Sequence, residues 1–211
     1  MQLAKEGHSL SAVYQNSYLE RQSIQVGLGI FIEEFPELST SVLKMCPEFI
    51  HLVTSAVLAT DVSNSRVQQT IQDRFDRLIS GPLCSELERT QSVVEQFLLM
   101  ADVGHCSQSY ENFLKWNEAF FHECLNNHKN RKGFDPRNGW FQGEISFLEA
   151  YILPLTERVG QLLPQCNLSS GTKRILKIWK ENGEKWTQNL VEASSKAELA
   201  EEEEEARVRG D

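Results

Sequence analysis

The stretch Leu98-Leu-Met-Ala-Asp102-Val-Gly-His105 ends an apolar run at a single carboxylate, Asp102. An Asp at this position either caps a helix or binds a metal ion, because its oxygens can accept hydrogen bonds or coordinate a cation. Upstream of this stretch, Ser85-Glu-Leu-Glu88 has the spacing of a capping box, in which the Ser and Glu side chains satisfy backbone N–H groups at a helix start. The sequence therefore predicts a helix that begins near Ser85 and ends at Asp102.

Apolar residues recur at helical spacing through most of the chain, and strand patterns are almost absent. We therefore predict an all-α, multi-helix bundle. Turn residues occur at Asp135-Pro-Arg-Asn-Gly139 and at Asn167-Leu-Ser-Ser-Gly171. Pro154 lies within a helical pattern, where its missing N–H predicts a kink. The helical sets include Val67, Ile71, Phe75, Leu78 and Ile79, then Tyr110, Phe113, Phe120 and Phe121, then Leu148, Tyr151, Ile152, Leu155 and Val159.

The composition limits the classes of partner. With 211 residues and a net charge of −9, the chain gains nothing electrostatically from a nucleic acid or an anionic membrane surface. No run approaches the roughly 20 apolar residues of a membrane span, and the N-terminus lacks the apolar core of a signal peptide. Five widely spaced cysteines without a C-x-x-C pair indicate reduced thiols. We expect an intracellular, cytoplasmic protein, with upstream membrane domains left open.

Several sequence blocks resemble a known family. Ala101-Asp-Val-Gly-His105, then Trp116, then Gly143-Glu-Ile-Ser-Phe147 followed by Pro154 resemble the later part of the catalytic domain of class I 3′,5′-cyclic-nucleotide phosphodiesterases. The order and spacing of these blocks are more specific than any one block alone. The residues in these blocks are most similar to those of divergent algal and protist forms of the family.

Two upstream segments extend the resemblance. Ser17-Tyr-Leu-Glu20 is similar to the family's Ser-Val-Leu-Glu segment, and Val57-Leu-Ala-Thr-Asp61 is similar to its Val-Leu-Ala-Thr-Asp signature. The resemblance divides the chain into an N-terminal segment at 1–13, the C-terminal part of a phosphodiesterase catalytic domain at 14–193, and an acidic tail at 194–211. Because the tail is rich in Glu and poor in large apolar residues, we predict that it is a frayed helix or a disordered segment.

The resemblance implies an all-α, HD-type catalytic bundle whose N-terminal helices are missing from this sequence. In the family, two divalent metal ions, zinc together with magnesium or manganese, hold a hydroxide that opens the cyclic phosphate to a 5′-nucleotide in signal transduction. By this likeness Asp102 is the metal-bridging carboxylate. Glu20 and Thr60 match positions that hold the water around the second metal, although each alone is equally typical of a helix-surface or capping residue.

The resemblance also assigns a purine-binding side. Phe147 matches the aromatic residue of the purine clamp and Phe120 matches the apolar residue opposite it, although aromatic residues on helical stripes are also typical of a core. Glu144 stands where better-known members have a purine-binding Gln, and His105 stands where the family often has Asn. Because an ionised Glu only accepts hydrogen bonds, it suits the two adjacent donors of guanine, and we expect that the intact enzyme accepts or prefers cyclic GMP.

The largest departure from the family is an absence. The family's first half supplies a His-Asn-x-x-His segment and a His-Asp segment, and this sequence contains neither. No His is followed by Asp, and no two are four residues apart, so the chain cannot assemble the family's metal ligands by itself. We expect the chain as given to bind no stoichiometric divalent metal and to hydrolyse no cyclic nucleotide. Its histidines are His8, His51, His105, His122 and His128.

Three interpretations follow from these observations. The first is part of a phosphodiesterase catalytic domain that acts on a cyclic nucleotide, with a homodimer or upstream domains as further partners. The second is a non-catalytic helical module that senses nucleotides or pairs with a full-length homologue. The third is an acidic helical interaction protein. A missing half-domain would leave apolar helix faces uncovered, so we also expect marginal stability with aggregation or dimerisation.

Overall fold

The computed structural model describes residues 9–81 and 84–210, and these residues form helices and turns with no strand. The predicted all-α fold is therefore confirmed for this part of the chain. Residues 1–8 of the predicted N-terminal segment and Asp211 of the predicted tail lie outside the described residues. The helices are α1 Ser9–Val13, α2 Tyr18–Glu33, α3 Pro36–Met45, α4 Phe49–Ala59, α5 Ser65–Ser80, α6 Glu86–Asp102, α7 Tyr110–Lys129, α8 Trp140–Phe147, α9 Leu153–Leu162 and α10 Leu168–Gly210.

The chain divides into two compact units, Met1–Asp102 and Val103–Asp211, which we call the first and the second unit. In the first unit, α4, α5 and α6 supply the buried apolar residues. The buried positions on α5 are one turn apart, as the amphipathic pattern of that helix requires. These apolar residues are Ala56 and Ala59 on α4, Ile71 and Phe75 on α5, and Leu99 and Met100 on α6.

The start of α6 confirms the predicted capping box. The Glu88 backbone N–H donates to Ser85 Oγ at 3.2 Å, and the Ser85 backbone N–H donates to Glu88 Oε2 at 3.1 Å. Backbone and hydroxyl donors of Ser85 hold the pKa of the Glu88 carboxyl below its usual range, although burial opposes them. The reciprocal bonds fix the first turn of the helix that ends at Asp102.

The apolar core of the second unit is formed mainly by α7, α8, the segment Leu148–Ile152 and α10. Trp179 of α10 lies at its centre, fully buried, with its ring edge-on to Phe113 of α7 at 5.4 Å between centroids. The Trp179 indole N–H donates to the Phe141 carbonyl at 3.2 Å, which joins α10 to α8. Aromatic contacts therefore set the packing of α7 and α8 on the long last helix.

The two predicted turns have different outcomes. The first is confirmed, because the Asn138 N–H donates to the Asp135 carbonyl at 3.1 Å and Gly139 takes the left-handed conformation, with φ of 86°, just before α8. The second was wrong, because α10 begins at Leu168 and includes Gly171. A Cβ at Gly171 would lie 3.0 Å from the Ser107 carbonyl carbon. The glycine thus serves a close approach between backbones instead of a turn.

The helix around Pro154 contains a π-helical segment, Leu148–Ile152, before α9 begins at Leu153. Pro154 is the second residue of α9, which follows the π-helical segment without a break, so its missing N–H removes one hydrogen bond from a continuous helix. The predicted disturbance at Pro154 therefore takes the form of a π turn just ahead of the proline.

Of the two alternatives for the tail, the structure has a helix, since α10 runs to Gly210. Ala, Glu, Lys and Arg are strong helix formers, so this composition supports helix as readily as disorder. The early tail is also tied to the second unit, because Glu198 accepts from Arg137 at 2.8 Å and Ser194 is buried.

Within the described residues, no single helix is long and apolar enough to cross a bilayer. By length and composition, α3 and α4 pass that test only as a pair, with a bend of 95° between them.

Candidate functional site

Asp102 is the last residue of α6 and is exposed to solvent. The apolar part of the same helix turn, Leu99 and Met100, is buried in the first unit and fixes the end of the helix. In the part of the chain that the structure describes, no group of three or more His, Cys, Asp or Glu side chains could hold a metal ion. Asp102 offers one exposed carboxylate at the end of its helix.

The other two residues assigned to the metal side also lie in the first unit. Glu20 is half-buried in the first turn of α2. Thr60 ends α4, and its hydroxyl donates to the Val57 carbonyl at 2.8 Å. Thr60 therefore makes a capping contact at the end of α4, as its sequence position suggested. Its hydroxyl oxygen can still accept a hydrogen bond.

A hydrogen-bonded cluster around Asp61 joins the two upstream sequence blocks. The Ser17 hydroxyl donates to Asp61 Oδ2 at 2.7 Å, and the Ser63 hydroxyl donates to Asp61 Oδ1 at 2.6 Å. The Asn64 amide donates to Ser17 Oγ at 3.2 Å. Burial raises the pKa of the Asp61 carboxyl, but these donors outweigh burial and hold the pKa below its usual range. The signal that could have found the cluster is that Ser17 begins one quoted block and Asp61 ends the other.

In the second unit, His105 lies in a short 3₁₀ helix, Gly104–Ser107, that precedes α7. Its imidazole stacks on the indole of Trp116, with 5.6 Å between ring centroids and 28° between planes. Trp116 is more than half exposed. The structure therefore brings His105, which ends the block that begins at Ala101, onto Trp116, and the two rings form an open aromatic surface.

Glu144 is a buried carboxyl held by α7. It lies on α8, only 9% exposed, and the Asn117 side chain hydrogen-bonds to it. Asn117 is held in turn by Trp140, whose indole N–H donates to Asn117 Oδ1 at 2.7 Å. With its oxygen occupied, Asn117 presents its NH₂ group to Glu144. Burial raises the pKa of Glu144 to about 7, although the Asn117 hydrogen bond lowers it.

Two thiols lie close enough to Glu144 for its charge to raise their pKa. Burial first, and then Glu144, raises the pKa of the Cys106 thiol to about 12. Burial, Glu123 and Glu144 also raise the pKa of the Cys124 thiol. Both thiols are therefore neutral at physiological pH and are poor nucleophiles. Helical spacing places Asn117 and Cys124 on one face of α7, but it does not show that they and Cys106 lie near Glu144.

The two residues assigned to the purine clamp have different partners. Phe120 of α7 is 53% exposed, and its ring lies 5.5 Å from that of Trp140. Phe147 at the end of α8 is half-buried and stacks on Tyr151 at 5.5 Å with 23° between planes. Phe120 thus leaves one face open to a ligand, whereas Phe147 is already part of an aromatic stack.

A buried ion pair in the first unit was also missed. Glu95 of α6 is 1% exposed and accepts from Arg74 of α5 and from the Ser55 hydroxyl of α4. These side chains line part of an open depression of about 210 Å³. Because one carboxylate oxygen bonds residues of two neighbouring helices, the pair fixes α4, α5 and α6 relative to one another. Nothing in the one-dimensional spacing of these residues marks them as partners.

Three comparisons with known proteins all match phosphodiesterases. A family model described as 3′,5′-cyclic nucleotide phosphodiesterase matches residues 2–170. The cGMP-specific 3′,5′-cGMP phosphodiesterase 3 of Dictyostelium discoideum is 28% identical over 190 residues, which is 83% of this chain and 40% of that protein. The solved phosphodiesterase domain of the Salpingoeca rosetta rhodopsin phosphodiesterase superposes with a TM-score of 0.68 at 18% identity, over 91% of this chain and 63% of that one. The chain thus spans less than two thirds of either relative.

Proposed function

Because the chain belongs to the 3′,5′-cyclic nucleotide phosphodiesterase family, we propose that it carries part of the active site of an enzyme that hydrolyses 3′,5′-cyclic nucleotides to 5′-nucleotides. The observation that carries the proposal is the family match over residues 2–170, which includes every candidate site residue from Glu20 to Phe147. The all-helical fold shared with the Salpingoeca domain is consistent with it.

In this proposal Asp102 is one ligand of the enzyme's divalent metal ions, zinc together with magnesium or manganese. Its exposure at the end of a helix anchored by buried Leu99 and Met100 supports the assignment. The remaining ligands belong to the family's His-Asn-x-x-His and His-Asp segments, which these 211 residues do not contain. The chain alone is accordingly proposed to be non-catalytic, and Glu20 and Thr60 to act only once those segments are present.

Glu144 is proposed to hydrogen-bond the purine base and to distinguish guanine from adenine. Its ionised form only accepts hydrogen bonds and suits the N1–H and N2–H donors of guanine, whereas its neutral form donates and accepts and suits adenine. The Asn117 contact supports a fixed orientation of the carboxyl. The name of the Dictyostelium relative, a cGMP-specific enzyme, points in the same direction. We infer that cyclic GMP is the preferred substrate when Glu144 is ionised, with Phe120 and Phe147 beside the base and His105 at its edge.

The test is a chimera in which this chain replaces the matching segment of the Dictyostelium enzyme. We expect the chimera to hydrolyse cyclic GMP with a higher kcat/KM than cyclic AMP, and Glu144→Gln to reduce that ratio at least tenfold. The matched control is Glu149→Gln, an exposed carboxyl on the same helical segment, which should leave the ratio unchanged. A wild-type chimera with a strong cyclic AMP preference would remove the proposed role of Glu144, and a folded chimera without any turnover would remove the proposed function.

A further inference from the structure

Three buried side chains of the second unit form a hydrogen-bonded series that ends at Glu144. Trp140, Asn117 and Glu144 are 5%, 5% and 9% exposed. The Trp140 indole N–H donates to Asn117 Oδ1 at 2.7 Å, and the Asn117 side chain hydrogen-bonds to Glu144. Because all three side chains are buried, these hydrogen bonds are stronger than they would be in water.

The direction of the hydrogen bonds is fixed at Trp140. An indole N–H can only donate, so the atom of Asn117 that it contacts must be the amide oxygen. The amide NH₂ group is then the part of Asn117 that is left to donate to Glu144. The indole is held by rings of α7, since Phe121 lies edge-on to it at 5.1 Å and Phe120 lies 5.5 Å from it between ring centroids. Asn117 therefore cannot turn its oxygen toward Glu144 without losing the Trp140 hydrogen bond.

A fixed donor beside a carboxyl decides which of its oxygens carries the proton. The Glu144 oxygen that accepts from Asn117 directs a lone pair at the amide in both protonation states. The proton of the neutral carboxyl must therefore lie on the other oxygen, which is the one available to a ligand. If the Asn117 oxygen faced Glu144 instead, it would accept this proton and withhold it from a ligand.

The surroundings of Glu144 let it change its protonation state near neutral pH. Burial raises the pKa of Glu144 to about 7, and among the described residues no charged side chain adds to burial and the Asn117 hydrogen bond. The titratable groups near it are the Cys106 thiol of the 3₁₀ helix and the Cys124 thiol of α7, whose own pKa values are raised. Helix α10 packs against α8 through apolar residues of the same core. Glu144 thus titrates between groups that stay neutral.

We propose that Asn117 and Trp140 are positioning residues that let Glu144 exchange its base selectivity when a proton binds or leaves; this rests on the proposed function. With the proton bound, the outer oxygen donates and the inner oxygen accepts, which matches the N1 acceptor and the N6–H donor of adenine. Once the proton leaves to solvent, both oxygens accept, which matches the N1–H and N2–H donors of guanine. A glutamine at position 144 would keep one donor and one acceptor at every pH and could not make this change.

The first test follows the titration of Glu144 in the full 211-residue chain without a nucleotide. Carboxyl NMR of isotope-labelled Glu, with the signal assigned by its loss in Glu144→Gln, gives the midpoint. Trp140→Phe frees Asn117 to turn, and Asn117→Leu removes the donor, so each should raise the midpoint by about 0.5 pH unit or more. The matched control is Trp186→Phe, which removes a partly buried indole that packs on Trp179 in the same core, and it should leave the midpoint unchanged.

A second readout uses the wild-type chain. The indole N–H signal of Trp140 should move with pH at the same midpoint as Glu144, because one hydrogen-bonded amide joins the two groups. The indole signal of Trp186 should not follow that midpoint. An unchanged midpoint in either folded variant, or a Trp140 signal that does not follow the Glu144 titration, would overturn the proposal.

The selectivity itself is measured in the chimera with the Dictyostelium enzyme. The ratio of kcat/KM for cyclic GMP to kcat/KM for cyclic AMP should rise at least tenfold from about pH 6 to about pH 8. Other titrating groups act on both substrates, so the ratio isolates the group that contacts the base. Glu144→Gln should make the ratio independent of pH, and Trp140→Phe should displace its rise to higher pH.

The two proposals fail in different ways. A folded chimera that hydrolyses neither nucleotide would refute the proposed function, even if the titration in the chain alone follows the expected pattern. An active chimera whose ratio does not depend on pH would refute the positioning role of Asn117 and Trp140 and leave the proposed function standing.

Discussion

The Ser17 hydroxyl donates a 2.7 Å hydrogen bond to Asp61 Oδ2, and this contact joins the residue before α2 to the loop that follows α4. Ser17 is 6% exposed and has a left-handed backbone, with φ of 49°. The left-handed backbone conformation is unfavourable for a residue with a Cβ atom. The hydrogen bonds of the Ser17 side chain offset this cost. The start of α2 thus depends on a contact between two segments that are 44 residues apart in sequence.

Ser17→Ala should destabilise the protein by more than Ser17→Gly. Alanine loses the hydrogen bond, worth about 1 kcal/mol, and keeps the left-handed backbone. Glycine loses the same bond but removes a conformational cost of about 1 kcal/mol. Urea unfolding followed by circular dichroism measures both variants. Equal losses of stability would show that the backbone at Ser17 is not strained.

Gly171→Ala should destabilise the second unit by about 2 kcal/mol, because the added methyl group meets the Ser107 carbonyl and backbones must separate. Gly160→Ala in α9 is the matched control. A Cβ at Gly160 meets nothing within 4 Å, so this change should be neutral or stabilise the protein by about 0.5 kcal/mol. Thermal unfolding of the two variants checks the pair, and a similar Tm for both would contradict the close approach.

Glu144 should make stability depend on pH. Its folded pKa of about 7 lies above the ordinary value of 4.5, so the folded state holds the proton more tightly than the unfolded state. The contribution of Glu144 is therefore greatest below pH 4.5 and is lost as pH rises to about 7. Relative to Glu144→Gln, the wild type should lose about 3 kcal/mol across that range.

Urea unfolding of both proteins at pH 4.5, 6 and 8 measures this difference, and the comparison cancels the other titrating groups. The titratable groups near Glu144 are Cys106 and Cys124, which stay neutral over this range because their own pKa values are raised. A constant free-energy difference between the two proteins from pH 4.5 to pH 8 would show that Glu144 is not buried as described.

Breaking the buried ion pair between Arg74 and Glu95 should cost far more stability than breaking an exposed pair on the same two helices. Arg74→Ala leaves the Glu95 carboxylate buried without its cation and should cost about 3 kcal/mol. The control is Arg77→Ala. The side chains of Arg77 and Glu88 are 53% and 37% exposed, with 3.4 Å between the guanidinium nitrogen and the carboxylate oxygen, so this change should cost less than about 1 kcal/mol. Chemical denaturation of both variants tests this, and equal costs would contradict the burial of Glu95.

Local patterns in the sequence predicted the helices well. The capping box of Ser85 and Glu88 and the turn at Asp135 rest on neighbouring residues, so spacing alone specifies them. The predicted turn at Asn167 was wrong because Gly171 is needed for a close approach to the backbone of Ser107. Ser107 lies 64 residues earlier, so local patterns do not report this contact. For the acidic tail the sequence left a helix and disorder both open, because its composition favours both solvation and helix.

The candidate site was less predictable than the fold. Resemblance supplied Asp102, Glu144 and the other assigned positions, but not what surrounds them. The contact of Asn117 with Glu144 depends on the packing of α7 against α8. In that packing the Trp140 indole occupies the Asn117 side-chain oxygen. The raised pKa of Glu144 depends on burial, which is a property of the whole core of the second unit. Such contacts depend on tertiary packing, whereas sequence spacing reports faces of single helices.

The most direct test of the account is the effect of Asp102→Asn on cyclic GMP hydrolysis by the chimera with the Dictyostelium enzyme. An exposed carboxylate at a helix end contributes little to stability, so the variant should melt within a few degrees of the parent chimera. If Asp102 is a ligand of the catalytic metal ions, the loss of one charged ligand should lower kcat at least a hundredfold and reduce the bound metal. An Asp102→Asn chimera with unchanged turnover and metal content would contradict the central claim.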